Sequence, residues 1–269
     1  TTGDIDVRAA FEAPTDLPPV LDSQIAAMAI SGTYAGGAGV SGAGSVTLNW
    51  IKNTVSAKIS NIGTGKSVHA GGKLKLNAID HSTIDSLAGA VAIAGLGAEG
   101  PSVGIGASVS YNYLGGDPND PSGDTKNQLV AGIDDAAGNI SAGNVEINAA
   151  YTGAINNITV AGSVAAGSGV SFALGGAVSI NRVRNSSDAH IINSAHVSTS
   201  STTGTGVKIT AKDSAQINAL AGGIGVGVTK GEGAALAAGV AVAVNEVTNT
   251  TQAVIDNSTV VSANGVTVD

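Results

Sequence analysis

An all-β solenoid is the fold class this sequence predicts, most simply a right-handed parallel β-helix. Three observations predict it. Short strands of alternating polarity recur at a near-constant spacing, a Gly- and Ala-rich stretch follows them, and an Asn-centred phrase comes next in every unit. Fixed self-similarity of this length is the mark of a repeat architecture.

The opening strands come first. They are Ile5-Asp6-Val7, Leu74-Lys75-Leu76, Val145-Glu146-Ile147, Val207-Lys208-Ile209 and Val266-Thr267-Val268. Their steps are 69, 71, 62 and 59 residues (74−5, 145−74, 207−145, 266−207). Apolar and polar residues alternate in them, the period of a half-buried strand. The Gly/Ala stretch comes second, as in "ALAGGIGVGVTKGEGAALAAGVAVAVN" from Ala219. Ile224, Val226 and Val228 alternate there with Gly225 and Gly227, so one face is branched and the other nearly bare. Recurrence of the bare face in every unit predicts close approach of another backbone rather than merely a weak strand.

The Asn phrase is third. Asn49, Asn181 and Asn245 each open N-x-[IV]-x-N-[ST], which ends at Asn53, Asn185 and Asn249. The second unit opens it at Asn112, is interrupted by "LGGDPNDPSGDTK", and resumes at Asn127. Asn49, Asn112, Asn181 and Asn245 are expected at equivalent levels, their amides bonded along the stack as in a cross-β ladder. The apolar residue before each (Leu48, Tyr111, Ile180, Val244) is expected to face inward. Another strand and a polar turn close each unit. The six prolines, Pro14, Pro18, Pro19, Pro101, Pro118 and Pro121, all fall in insertions or turns, as a backbone ladder requires.

The chain therefore divides into one continuous array: 1–72, 73–143, 144–205, 206–264 and the opening of a further unit at 265–269. Each unit is expected to hold about three coils of ~20 residues. Long antiparallel hairpins in a stack are the alternative, because the Gly-rich turns can reverse the chain. Both ends fall inside the pattern, so the array is expected to continue as part of a longer protein.

Composition narrows function. Aromatics are 3% and charged residues 12%, so cores are thin and stacking must supply the burial. The formal charge is -8 with no Lys/Arg cluster, which makes nucleic acid a poor partner. No Cys is present, excluding disulfides and thiolate metal sites. No apolar run is free enough of Gly, Ser and Asn to span a membrane as a helix.

The phrase A-V-x-V-N-x-V-x-N-x-T-x-A-x-I-x-x-S-x-V, followed by G-x-V-x-V, is best seen from Ala241 to Val268. It resembles the repeats of giant bacterial filamentous adhesins, the large exoproteins called leukotoxin-like or hemagglutinin-like. The resemblance covers the chain apart from insertions at residues 10–20 and 114–126. It implies an extracellular or cell-surface setting, a structural or adhesive stalk, and no catalytic residue. The expected partner is a protein or glycan on a host or neighbouring cell, and the segment is expected to be a monomer.

Four further groups are weighed. Asp117, Asn119, Asp120 and Asp124 place hard oxygen donors within the loop 115–124, a composition that suits calcium and equally a solvated turn. His69, His81, His190 and His196 lack zinc spacing and are expected to be exposed. Arg182 and Arg184 are flanked only by Asp188, and Asp80 and Asp85 sit near Lys75. These are the residues a carbohydrate-active β-helix enzyme of lyase or epimerase type, the alternative function, would draw on. Finally Ser45, Thr47, Ser108, Ser110 and Ser179 are read as an outward polar row, of the kind an ice- or mineral-binding face would need.

Overall fold

The computed structural model describes residues 1–12, 23–117, 119–120, 125–194 and 196–269. Most of the first insertion, with Pro14, Pro18 and Pro19, lies outside the described residues, as do Pro118, Pro121 and Asp124. Twenty-one strands and no helix occur among the described residues.

The strands sort into five parallel sheets, each taking one strand per unit. The first stacks β1 (Ile5–Phe11), β6 (Lys73–Asp80), β11 (Asn144–Tyr151), β16 (Val207–Asp213) and β21 (Val266–Val268). The second stacks β2 (Ile25–Ala35), β7 (Thr83–Ala98), β12 (Ala154–Gly167) and β17 (Gln216–Thr229). The third holds β3 (Gly39–Ile51), β8 (Ser102–Leu114), β13 (Ser171–Val183) and β18 (Ala235–Val247). The fourth holds β4 (Thr54–Ser60), β9 (Asn127–Asp134), β14 (Asn185–Ile192) and β19 (Thr250–Asp256). The fifth is short: β5 (Ser67–His69), β10 (Asn139–Ala142), β15 (His196–Thr199) and β20 (Val260–Ser262).

This is a parallel β-solenoid, with a correction to the size of its coil. Ile5 pairs directly with Leu74, and Leu74 with Val145. Opening strands of successive units are thus immediate neighbours, and one unit is one coil of five strands, not three coils. Each unit of roughly 65 residues advances the stack by a single strand spacing, about 4.8 Å.

The coil has two parts. The first, fourth and fifth sheets enclose a prism around Leu74, Leu76, Leu129, Ile133, Ile147 and Ile209, all almost wholly buried. The second and third sheets project from it as a blade. Within each coil the chain runs out along the second sheet and back along the third. Gly104 faces Val164 and Gly106 faces Gly162, so the two sheets run in opposite directions. The Gly-rich turns therefore do reverse the chain, but the hydrogen bonds run to the neighbouring coils and are parallel throughout.

The blade interior is made of small and polar residues. Ala43, Ala90, Ala92, Ala161 and Ala177 form its only apolar cluster among the described residues. The sheets meet almost backbone to backbone. A Cβ on Gly106 would lie 2.3 Å from the carbonyl oxygen of Gly162, and one on Gly175 would lie 2.2 Å from that of Ile224. The bare face is explained by this contact. A junction of Ile51, Ile84, Leu114, Ile155 and Val183 joins blade to prism.

Two expectations of sidedness are overturned here. Asn49, Asn112 and Asn181 point inward, while Leu48 and Val244 before Asn49 and Asn245 are 54% and 42% exposed. Tyr111 and Ile180 share that outward row. Ser45, Thr47, Ser108, Ser110 and Ser179 are buried inside the blade, so they form no external row for ice or mineral. Alternation defines two faces of a strand; it does not say which one another sheet will cover.

Candidate functional site

Three ladders of polar side chains run along the stack. In the first, Asn49 Nδ2 donates to Asn112 Oδ1, Asn112 Nδ2 to Asn181 Oδ1, and Asn181 Nδ2 to Asn245 Oδ1, each at 2.8 Å. One amide per coil at the same register level makes this possible, because the strand spacing nearly equals the reach of a primary amide. The ladder also ties the two sheets of the blade together. Asn157 Nδ2 donates to Ser179 Oγ at 2.7 Å, and Ser110 Oγ donates to Asn157 Oδ1 at 3.0 Å. Thr47 and Ser86 bond across the sheets at 3.0 Å.

The second ladder uses the closing Asn of the phrase, where the third sheet breaks to the fourth. Asn53 N donates to Asn127 Oδ1 at 2.8 Å, and Asn185 N to Asn249 Oδ1 at 3.0 Å. Asn53 Nδ2 reaches Asp80 Oδ2 at 3.1 Å, and Asn185 Nδ2 reaches Asp213 Oδ2 at 3.0 Å. Burial pushes the Asp213 carboxyl above its ordinary range. Burial, and then the carboxylates of Asp80 and Asp213, push the Tyr151 phenol far up, so it stays neutral.

The third ladder escaped sequence reasoning. Asn61, Asp135, Asn193 and Asn257 each follow a strand of the fourth sheet with positive φ, between 43° and 58°. They turn the corner to the fifth sheet in the left-handed conformation that Asn and Asp tolerate. Asn257 Nδ2 donates to Asn193 Oδ1 at 2.9 Å, and Asn193 Nδ2 to Asp135 Oδ1 at 3.2 Å. The signal was available. Asn61, Asn193 and Asn257 each lie 12 residues after the Asn that opens the phrase (61−49, 193−181, 257−245).

Within the loop 115–124, Asp117 Oδ1 accepts from Asn119 N at 2.8 Å, an Asx turn. Asp120 Oδ2 accepts from Thr125 N at 3.0 Å and from Thr125 Oγ1 at 2.6 Å. Asp124 lies outside the described residues. Among the described residues, no three His, Cys, Asp or Glu are grouped to hold a metal ion.

One histidine departs from expectation. His190 is 5% exposed, because it lies over Gly132 of the adjacent coil. Its Nε2 bonds Asp134 Oδ1, and its Nδ1 stands 3.0 Å from Asp188 Oδ2, an ion-pair distance without hydrogen-bond geometry. Lys58 Nζ reaches the other oxygen of Asp134 at 2.9 Å. Burial opposes the imidazolium, but the carboxylates of Asp188 and Asp134 outweigh it and raise the His190 pKa. Burial would raise Asp134 too, yet Lys58 and His190 hold it below its ordinary value.

The acids and bases named from the sequence do not converge. Arg182 Nε and an Arg184 amino group both engage Glu246, at 3.0 and 3.2 Å. Asp80 is wholly buried and bonds Ser82 N and Asn53. Asp85 faces outward on the second sheet and accepts from Asn156 Nδ2 at 2.8 Å. Asn218 Nδ2 continues that row by donating to Asn156 Oδ1 at 2.9 Å. Beside it runs the apolar row Met28–Leu87–Ile158–Leu220. The two rows line a shallow groove of about 910 Å³ along the stack. Its chemistry is that of a contact surface: amides that donate and accept beside a strip of apolar carbon.

No family model, curated protein or solved structure matches this chain.

Proposed function

We propose that the chain is a non-catalytic structural and adhesive segment of a large bacterial surface or secreted protein, as the resemblance to filamentous adhesins implies. The observation that supports this is uniformity. The same ladders and corners recur in successive coils, and the cluster of His190 with Asp134, Asp188 and Lys58, which does not recur, is closed on itself by ion pairs.

The size of the coil favours contact over reach. Each coil of roughly 65 residues adds only about 4.8 Å of length. The same residues build a blade whose 13-residue strands extend ~43 Å at about 3.3 Å per residue. Such a segment presents breadth. The groove of the second sheet supplies a surface for a glycan or protein of a host or neighbouring cell, with Asn156 and Asn218 bonding polar groups and the Met28–Leu220 row covering apolar ones.

A glycan array scored for both retention and turnover tests this reading. The expected result is retention without turnover, weakened by Asn156→Leu with Asn218→Leu. Turnover abolished by Asp85→Asn would replace it with the carbohydrate-active enzyme. Calcium uptake by the 115–124 loop is a separate proposal. Titration calorimetry should show heat that Asp117→Ala with Asp120→Ala removes; equal heats, or none, would end it.

A further inference from the structure

The blade hides its small residues and displays its large ones. On the outer surface of the third sheet the rows Val46–Val109–Val178–Val242 and Leu48–Tyr111–Ile180–Val244 cross all four strands without a charge. Val46 is 65% exposed. Charge enters only at the row beside the prism. There Arg182 pairs with Glu246, which Arg184 also engages, and lies 5.6 Å from the centre of the Tyr113 ring. Single exposed apolar residues are ordinary, but a contiguous patch of several hundred Å² marks an interaction surface.

We propose that this face packs against the same face of a second copy of the chain, forming an isologous dimer of two blades. The area fits. Strands of 13 residues, ~43 Å long, across four strands spanning ~19 Å, present ~800 Å², which is what each partner contributes to a standard stable interface. The shape fits as well. A sheet with rows repeating at the strand spacing is matched by another sheet of the same period, packed about 10 Å away. The rows away from the prism edge carry no charge, so covering them incurs no desolvation penalty of an ion.

The blade's other face and a lipid surface are poorer choices. The second sheet's outer face is broken by the polar row Asp85–Asn156–Asn218, whereas no charged or amide side chain interrupts the third sheet's face short of the row beside the prism. A bilayer is disfavoured by the net charge of -8, and by Glu99, Lys230 and Glu232 at the exposed blade tip. No basic rim offsets these charges against anionic headgroups.

Sedimentation velocity over a concentration series tests the proposal. The wild-type chain should be dimeric at high concentration. Val109→Glu with Val178→Glu, on the two central strands, should give a monomer with an unchanged far-UV circular dichroism spectrum. Ile158→Glu with Val160→Glu, on the opposite face, should leave the dimer intact. Because the chain has no Cys, a single Ala107→Cys at the centre of the face should give a covalent dimer on mild oxidation, and Ala26→Cys should not. This second readout stands if the Glu variants fail to fold. A wild-type monomer at every concentration would overturn the proposal. So would a dimer broken from the opposite face, or a monomer that floats with phosphatidylcholine vesicles.

Discussion

Prism and blade are built by the same coils in the same register, yet they are packed on opposite principles. In the prism, Leu74, Leu76, Ile133 and Ile147 fill the interior and polar residues face water. In the blade, Asn, Ser, Thr, Ala and Gly fill the interior, while Val, Ile and Leu face out. Three sheets around a prism leave a space that only bulky side chains fill at the density of a protein interior. Two sheets face to face can close until backbone meets small side chains. The polar atoms then buried are tolerated because most find partners within the stack or across it. A side chain that bonds its own copy one coil away carries its partner with it, so a repeat makes polar burial cheap in a way a single unit cannot.

The sharpest way to break that comparison is to put bulk where backbones touch. Gly106→Val places carbon against the Gly162 carbonyl, 2.3 Å from the first added atom, and that neighbour is backbone. A loss of about 4 kcal/mol or more is expected, enough to prevent the blade from closing. Chemical denaturation read by circular dichroism checks it; a loss below that of a prism cavity would show that the sheets can part cheaply. Next comes the prism itself. Leu76→Ala should cost about 2–5 kcal/mol through lost burial and the cavity left behind. The same measurement applies, and a near-neutral result would mean the prism is not the apolar core described.

Asn181→Leu tests the polar interior directly. It removes the acceptor of one Asn112 Nδ2 hydrogen, the other still reaching Ser110 Oγ, and the donor to Asn245 Oδ1, and about 1–3 kcal/mol should be lost. A gain in stability would show that the blade interior is polar for reasons other than the ladder.

The smallest effect concerns the fourth sheet's outer face. The raised His190 pKa means its contribution is complete below the unfolded value of 6.5 and is lost as pH rises through the folded one. The lowered Asp134 pKa means its contribution is present above 3.8 and is lost as pH falls through the folded one. The thermal midpoint of wild type should therefore exceed that of His190→Gln most between pH 4 and 6.5, roughly the window those two values bound. The gap should narrow toward alkaline pH. A gap independent of pH would assign His190 a packing role alone.

The repeat, its strands and the closely approached bare face were legible in the residues, because each is a local pattern copied at a fixed interval. The equivalence of Asn49, Asn112, Asn181 and Asn245 was legible too, despite the insertion that displaces Asn127. The corner residues Asn61, Asp135, Asn193 and Asn257 were legible in principle, since three of them keep a constant offset, but a single Asn in a turn carries little signal alone. The buried His190 was not legible, because it depends on Gly132 one coil away and leaves no mark in its own neighbourhood.

By itself, then, the sequence determined that this chain forms strands, that they repeat in units of 59 to 71 residues, and that the strands of the Gly/Ala-rich stretch have one bulky and one bare face. These follow from alternation and spacing, which act within a few residues. Only the tertiary structure decided that one unit makes one coil, because that turns on which strand pairs with which some 60 residues away. It also decided that the Asn, Ser and Thr side chains share the covered, bare face, while Leu48, Tyr111, Ile180 and Val244 face out. Alternation is symmetric between the two faces, and the choice is made when a second sheet comes close enough to cover one of them.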